Sequence, residues 1–199
     1  MLAMACGLLG LLVLGLCGAV SYPSAREAQL LGSTDLAQHW SQGDVVMLVR
    51  HAERCDRTDA PCLGAEDGIT VRGGEIASTL GRDYRDYFGL GNADIYASPL
   101  TRTTQTASLM FGSGALGEAW VADCKGDLLN HVLEHKASHR NLILVTHSEC
   151  MEQLAKALGQ DNLDTPDYTT SLVLFSDGRG GLQLAGEIDA ADWAHLQVR

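Results

Sequence analysis

Short continuous apolar runs recur along the chain, and polar segments rich in turn residues or apolar stripes at helical spacing separate them. The run Val45-Val46-Met47-Leu48-Val49 is short and β-branched, the pattern of a strand covered on both faces, and it ends directly at Arg50-His51. Asp94-Ile95-Tyr96-Ala97 reads as a second strand, and Asn141-Leu142-Ile143-Leu144-Val145-Thr146 as a third, buried one that delivers His147. Residues 55–68 carry no apolar period and predict a loop. Thr70 with Ile76, Ala77, Leu80 and Tyr84 then marks a helical stripe. Ser98-Pro99-Leu100 predicts a turn, and residues 102–111 a helix capped by Thr101 or Ser98. Residues 128–136 and 149–158 are also expected to be helical. Ser171 to Phe175 and Leu182 to Ala185 flank Asp177-Gly178, as in an edge hairpin.

Strands alternating with helices predict an α/β fold, a three-layer sandwich with a largely parallel central sheet and helices on both faces. In such sheets ligands bind beyond the carboxyl ends of the strands. Arg50, His51 and His147 all follow strands directly, and Arg102 follows one through a short turn, so separate segments should converge on one pocket.

The first residues change the picture of where the chain resides. Residues 2–20 are almost wholly apolar and the first charged side chain is Arg26, which predicts a secretory leader over 1–20 and a catalytic domain over 21–199. Cleavage is expected near Ala19, with an uncleaved inner-membrane anchor as the alternative. On either reading the domain is exported, and the expected location is the periplasm. The 199 residues are otherwise enough for one domain with a full core. Removing the leader takes two of the six cysteines and leaves Cys55, Cys62, Cys124 and Cys150. In an oxidising compartment these predict two disulfides, read as Cys55–Cys62 around a short loop and Cys124–Cys150. A formal net charge of −11 argues against nucleic acid or an anionic membrane as a non-specific partner, so any phosphate site must be locally basic.

Four motifs carry the chemistry: Arg50-His51-Ala52-Glu53-Arg54, Thr70-Val71-Arg72-Gly73, Ser98 to Ala107 around Arg102, and Val145-Thr146-His147. Together they resemble the histidine phosphatase superfamily, with a phosphoglycerate mutase-like fold. The run continuing through Cys55-Asp56-Arg57, with Cys62, Asp123-Cys124 and Pro166-Asp167-Tyr168, is similar to the periplasmic lipopolysaccharide core heptose(II)-phosphate phosphatases. That resemblance implies a phosphomonoesterase acting on a phosphorylated sugar or lipopolysaccharide core, without metal or other cofactor. Membrane contact is then expected only through the leader or the substrate.

The residue types suit this chemistry. A neutral imidazole attacks phosphorus well, and a phosphohistidine divides one hard displacement into two easier ones; the resemblance gives that role to His51. Guanidinium forks meet the phosphoryl charge without deprotonating, which assigns phosphate binding to Arg50, Arg54 and Arg102, with Arg57 as a further candidate. His147 is expected to support the same oxygens. The departing oxygen needs a proton donor, and the candidates rank Asp123, then Glu149, then Glu53.

Other chemistries fit less well. His131-Val132-Leu133-Glu134-His135 matches a zinc peptidase pattern, with His139 continuing its face, but no further ligand motif accompanies it. A Cys followed at the sixth position by Arg, as cysteine phosphatases need, is absent. The remaining alternatives are a periplasmic phosphatase for small soluble phosphoesters and a non-catalytic phosphate-binding protein of the same fold.

Overall fold

A computed structural model of the chain describes residues 33–177 and 179–196. The expected leader and Gly178 of the hairpin turn lie outside these residues. Within them, no helix is long and apolar enough to cross a membrane.

The chain runs α1 (Ser33–Gln42), β1 (Val45–Arg50), α2 (Val71–Phe88), β2 (Ala93–Ala97), α3 (Thr101–Phe111), β3 (Leu116–Gly117), α4 (Leu128–His135), β4 (Asn141–Thr146), α5 (Ser148–Ala157), β5 (Ser171–Ser176) and β6 (Leu182–Ile188). The sheet order is β3-β2-β4-β1-β5-β6. The first four strands are mutually parallel, and the β5–β6 hairpin joins antiparallel to β1. The chain therefore folds as the expected α/β sandwich, with β1 and β4 side by side at its centre.

Strand alternation divides the core. Val45, Met47 and Val49 face one layer with Leu36 and Trp40 of α1, Ala77, Leu80 and Tyr84 of α2 and Met110 of α3. Val46 and Leu48 face the other, with Leu128 and Val132 of α4 and Met151 and Leu154 of α5. Both faces of β1 are thus covered, which explains its unbroken apolar run. The α2–α3 crossing is tight: a Cβ on Gly81 would lie 2.3 Å from the Met110 carbonyl oxygen, so only glycine fits there. At the opposite end of the sheet from the histidines, buried Asn141 accepts from Val45 N at 3.0 Å and donates to Trp40 O at 2.9 Å.

Two local readings are corrected, and two elements had none. Ile76 is not in the buried stripe of α2 but 45% exposed; Ala77, Leu80 and Tyr84 lie in it as expected, joined by Gly73, Gly74 and Gly81. Neither Thr101 nor Ser98 caps α3, whose N-cap is Leu100 without a side-chain bond. Helix α1 occupies a stretch whose polar residues hide only two buried anchors, Leu36 and Trp40, and the two-residue β3 is too short to leave a period.

Candidate active site

The two histidines are positioned by the sheet itself. Beyond β1, His51 N still donates to Thr146 O of β4 at 3.0 Å, so the ladder extends to His51. One strand over, His147 leaves β4 as the N-cap of α5. Both side chains are buried, with ring centroids 5.3 Å apart and planes at 65°.

Arg102 joins them. It sits in the first turn of α3, which is tied to the His51 segment because Ala52 N donates to Thr106 Oγ1 at 3.0 Å. Its Nε donates to His51 Nε2 at 3.2 Å, and a terminal nitrogen lies 3.4 Å from His147 Nδ1. His51 Nδ1 is 2.8 Å from Ala52 O. A carbonyl only accepts, so Nδ1 carries the hydrogen and Nε2 keeps its lone pair toward the site. A guanidinium only donates, so His147 Nδ1, facing Arg102, keeps its lone pair and Nε2 carries the hydrogen, donating to Ser98 Oγ at 2.9 Å. Ser98, buried at the end of β2, thus orients a ring rather than capping a helix.

Burial, reinforced by His147, Arg102 and Arg50, pulls the His51 pKa down to about 3 against the Ala52 carbonyl. Burial and then Arg102 bring His147 to about 4, with Glu149 opposing. Both rings are therefore neutral at physiological pH in the free protein.

The other arginines differ in readiness. The Arg50 guanidinium lies 4.1 Å over the Tyr168 ring and donates to Pro166 O. Its buried Nε has no hydrogen-bond partner among the described residues. Arg54 forks onto Asp56, with Nε to Oδ1 at 2.7 Å, so an arriving phosphate must compete with that carboxylate. Arg57, in the same 3-10 turn (Cys55–Arg57), is exposed.

The structure reorders the candidate acids. Asp123 is exposed, and a Cβ built on Gly126 would lie 2.1 Å from its carboxylate oxygen, so this side chain folds back on its own turn. Glu53 is held by Arg72 and accepts from Thr70 Oγ1 at 2.8 Å; Arg72 keeps it ionised. It ties the first motif to the start of α2 and is not free for proton transfer. Glu149, in the first turn of α5, is the carboxylate coupled to His147, Arg50 and Arg102. Its own backbone amide holds its pKa below the usual value.

Both disulfides are formed as expected. Cys55–Cys62 closes the loop after the first motif, and Cys124–Cys150 fastens the Asp123 segment to the first helical turn after His147. In the zinc-like pattern, His135 stacks on Trp120 with centroids 4.3 Å apart and its Nδ1 is 2.8 Å from His131 O. No cluster of metal-ligating side chains occurs among the described residues.

A neutral, lone-pair-bearing imidazole set among guanidinium donors at a strand end is the equipment of a phosphohydrolase of the histidine phosphatase class. Solved structures share the fold. A putative phosphohistidine phosphatase SixA from Agrobacterium tumefaciens aligns with TM-score 0.56 at 19% identity, over 73% of this chain and 98% of its own. A phosphoglycerate mutase from Bacillus anthracis aligns with TM-score 0.54 at 14% identity, over 78% and 98%. No family model matches the chain. A Salmonella typhi lipopolysaccharide core heptose(II)-phosphate phosphatase is 35% identical over 156 residues, 76% of this chain and 75% of the relative. The chain belongs to the family of these heptose(II)-phosphate phosphatases and is a phosphoric monoester hydrolase.

Proposed function

We propose that the protein removes phosphate from a heptose of the lipopolysaccharide core, in the periplasm, through a phosphohistidine on His51 and without metal. The observation that carries the mechanism is the His51 tautomer: Nδ1–H is engaged by Ala52 O at 2.8 Å and Nε2 keeps its lone pair, which faces the Arg102 Nε donor at 3.2 Å. The exported domain follows a leader over 1–20.

In the first step His51 Nε2 bonds to phosphorus while the phosphorus–sugar oxygen bond breaks. Arg50, Arg54 and Arg102 bind the three outer phosphoryl oxygens, Arg54 exchanging Asp56 for the phosphate. The unpaired Arg50 Nε and the amino-terminal turn of α5 add donors aimed at the same charge. His147, its ring oriented by Ser98, holds the Arg102 guanidinium through Nδ1 and so fixes that donor against the phosphoryl group. Glu149 carries the proton, passing the one brought by a monoanionic ester to the leaving sugar oxygen. In the second step it takes a proton from the attacking water, which breaks the nitrogen–phosphorus bond and yields inorganic phosphate.

The test is phosphate release from purified phosphorylated lipopolysaccharide core and from 4-nitrophenyl phosphate, with EDTA present, by the native domain and His51→Ala. Activity that survives chelation and vanishes in the variant supports the reading; equal activity of the two proteins refutes it.

A further inference from the structure

The reaction chemistry uses none of the groove that opens beside it. This groove, of about 570 Å³, runs between α2 and the segment after β6; Ile76, Thr79, Tyr168 and Ala190 line its walls, with Glu75, Asp167 and Asp189 among its carboxylates. Its volume falls within the roughly 300–1,000 Å³ of small-molecule sites. Tyr168 connects it to the chemistry, with its ring centroid 5.7 Å from that of His51.

Two observations mark this wall as built for a ligand. Ile76 is a large apolar side chain left 45% exposed on the groove wall, next to the buried Ala77. Thr169, next to Tyr168, is buried with φ 64°, a conformation that costs a β-branched residue of order 1–3 kcal/mol. It is held there because Thr169 N donates to Arg50 O at 3.1 Å and Thr169 Oγ1 bonds the Tyr168 carbonyl. The strain fixes Tyr168 between Arg50 and the groove.

We infer that this groove is a subsite for the saccharide body of the substrate, with Tyr168 and Ile76 as its apolar platform. The inference rests on the phosphatase reading above and adds the recognition of what lies beyond the phosphate. A sugar ring presents an apolar C–H face that suits an aromatic and a branched aliphatic side chain, and hydroxyl donors that suit carboxylates.

The charge pattern makes the subsite selective. Arg50, Arg54 and Arg102 concentrate positive charge at the reacting phosphate. Glu75, Asp167 and Asp189 line the groove, so a second phosphate there meets like charge. The groove takes a neutral or amine-bearing saccharide, and a polyanionic substrate must keep its other phosphates outside it.

The experiment compares kcat/KM for a deacylated core oligosaccharide carrying one phosphate with kcat/KM for 4-nitrophenyl phosphate, which has no saccharide. The ratio of the two is expected to fall about tenfold or more in Ile76→Asp and in Tyr168→Ala, and to be largely retained in Tyr168→Phe. The same oligosaccharide without phosphate should inhibit the native protein competitively, a readout independent of either variant's folding. A ratio unchanged in Ile76→Asp and Tyr168→Ala, or no inhibition by the phosphate-free oligosaccharide, overturns the subsite while leaving the phosphatase reading intact. Loss of that reading would show separately, as 4-nitrophenyl phosphate hydrolysis by the native protein that His51→Ala does not abolish.

Discussion

Replacing Glu187 by Gln should stabilise the protein in a way that depends on pH. Glu187 lies on the edge strand β6, about half-buried, with its Oε1 enclosed and without a hydrogen-bond partner among the described residues. Burial, then the carboxylates of Asp189, Asp164 and Asp167, raise its pKa from 4.5 to about 7. The native protein thus keeps a proton that the unfolded chain releases, and stability falls as pH rises from about 4.5 to 7. At about 1.4 kcal/mol per tenfold change in proton affinity the full effect would be about 3 kcal/mol. Solvent contact screens part of it, leaving about 1–2 kcal/mol. Glutamine copies the protonated shape without the titration. Urea denaturation followed by tryptophan fluorescence should therefore show Glu187→Gln more stable than native by about 1–2 kcal/mol at pH 8, and nearly equal to it at pH 4.5. The same difference at both pH values would refute the reasoning.

The histidines act in the opposite sense: below about 6.5 the unfolded chain takes up protons that buried His51 and His147 refuse, costing stability as pH falls. Ring-proton NMR of the native protein should show no inflection for either above pH 5, and one near 6.5 would contradict the burial argument. Arg102→Ala removes the donor shared by both rings and should lower kcat on 4-nitrophenyl phosphate about 10²–10³-fold. Arg102→Lys should recover little of it, because an ammonium cannot fork. Glu149→Gln should lower kcat/KM, which reports phosphoryl transfer to His51, more for the sugar phosphate than for 4-nitrophenyl phosphate, whose leaving group needs no proton. Equal slowing would move the proton carrier elsewhere.

Much of this arrangement was legible in the sequence because strands covered on both faces leave unbroken apolar runs, and those runs ended at Arg50-His51 and His147. The sandwich and the shared end of its sheet followed from that. What sequence could not supply was direction. Asp123, Glu149 and Glu53 are equivalent as letters; only the fold turns Asp123 back over Gly126 and locks Glu53 onto Arg72. Ser98 stood in a turn with a cap-like signature, and its bond to His147 depends on β2 lying next to β4, a pairing with no local signal. Asp56 likewise read as loop polarity, and its hold on Arg54 arises from the 3-10 turn fixed by Cys55–Cys62. Ile76 fitted the helical period yet lines a groove, since a stripe wide enough to be helical need not be buried along its whole width.

The central claim is a covalent phosphoenzyme on His51. Rapid quenching of the native protein with a ³²P-labelled phosphomonoester, followed by peptide mapping, tests it most directly. The account predicts an acid-labile, base-stable label on the peptide containing His51, present with EDTA and absent from His51→Ala. A label on another residue, or native turnover under conditions that would trap a phosphoenzyme but yield none, would contradict it.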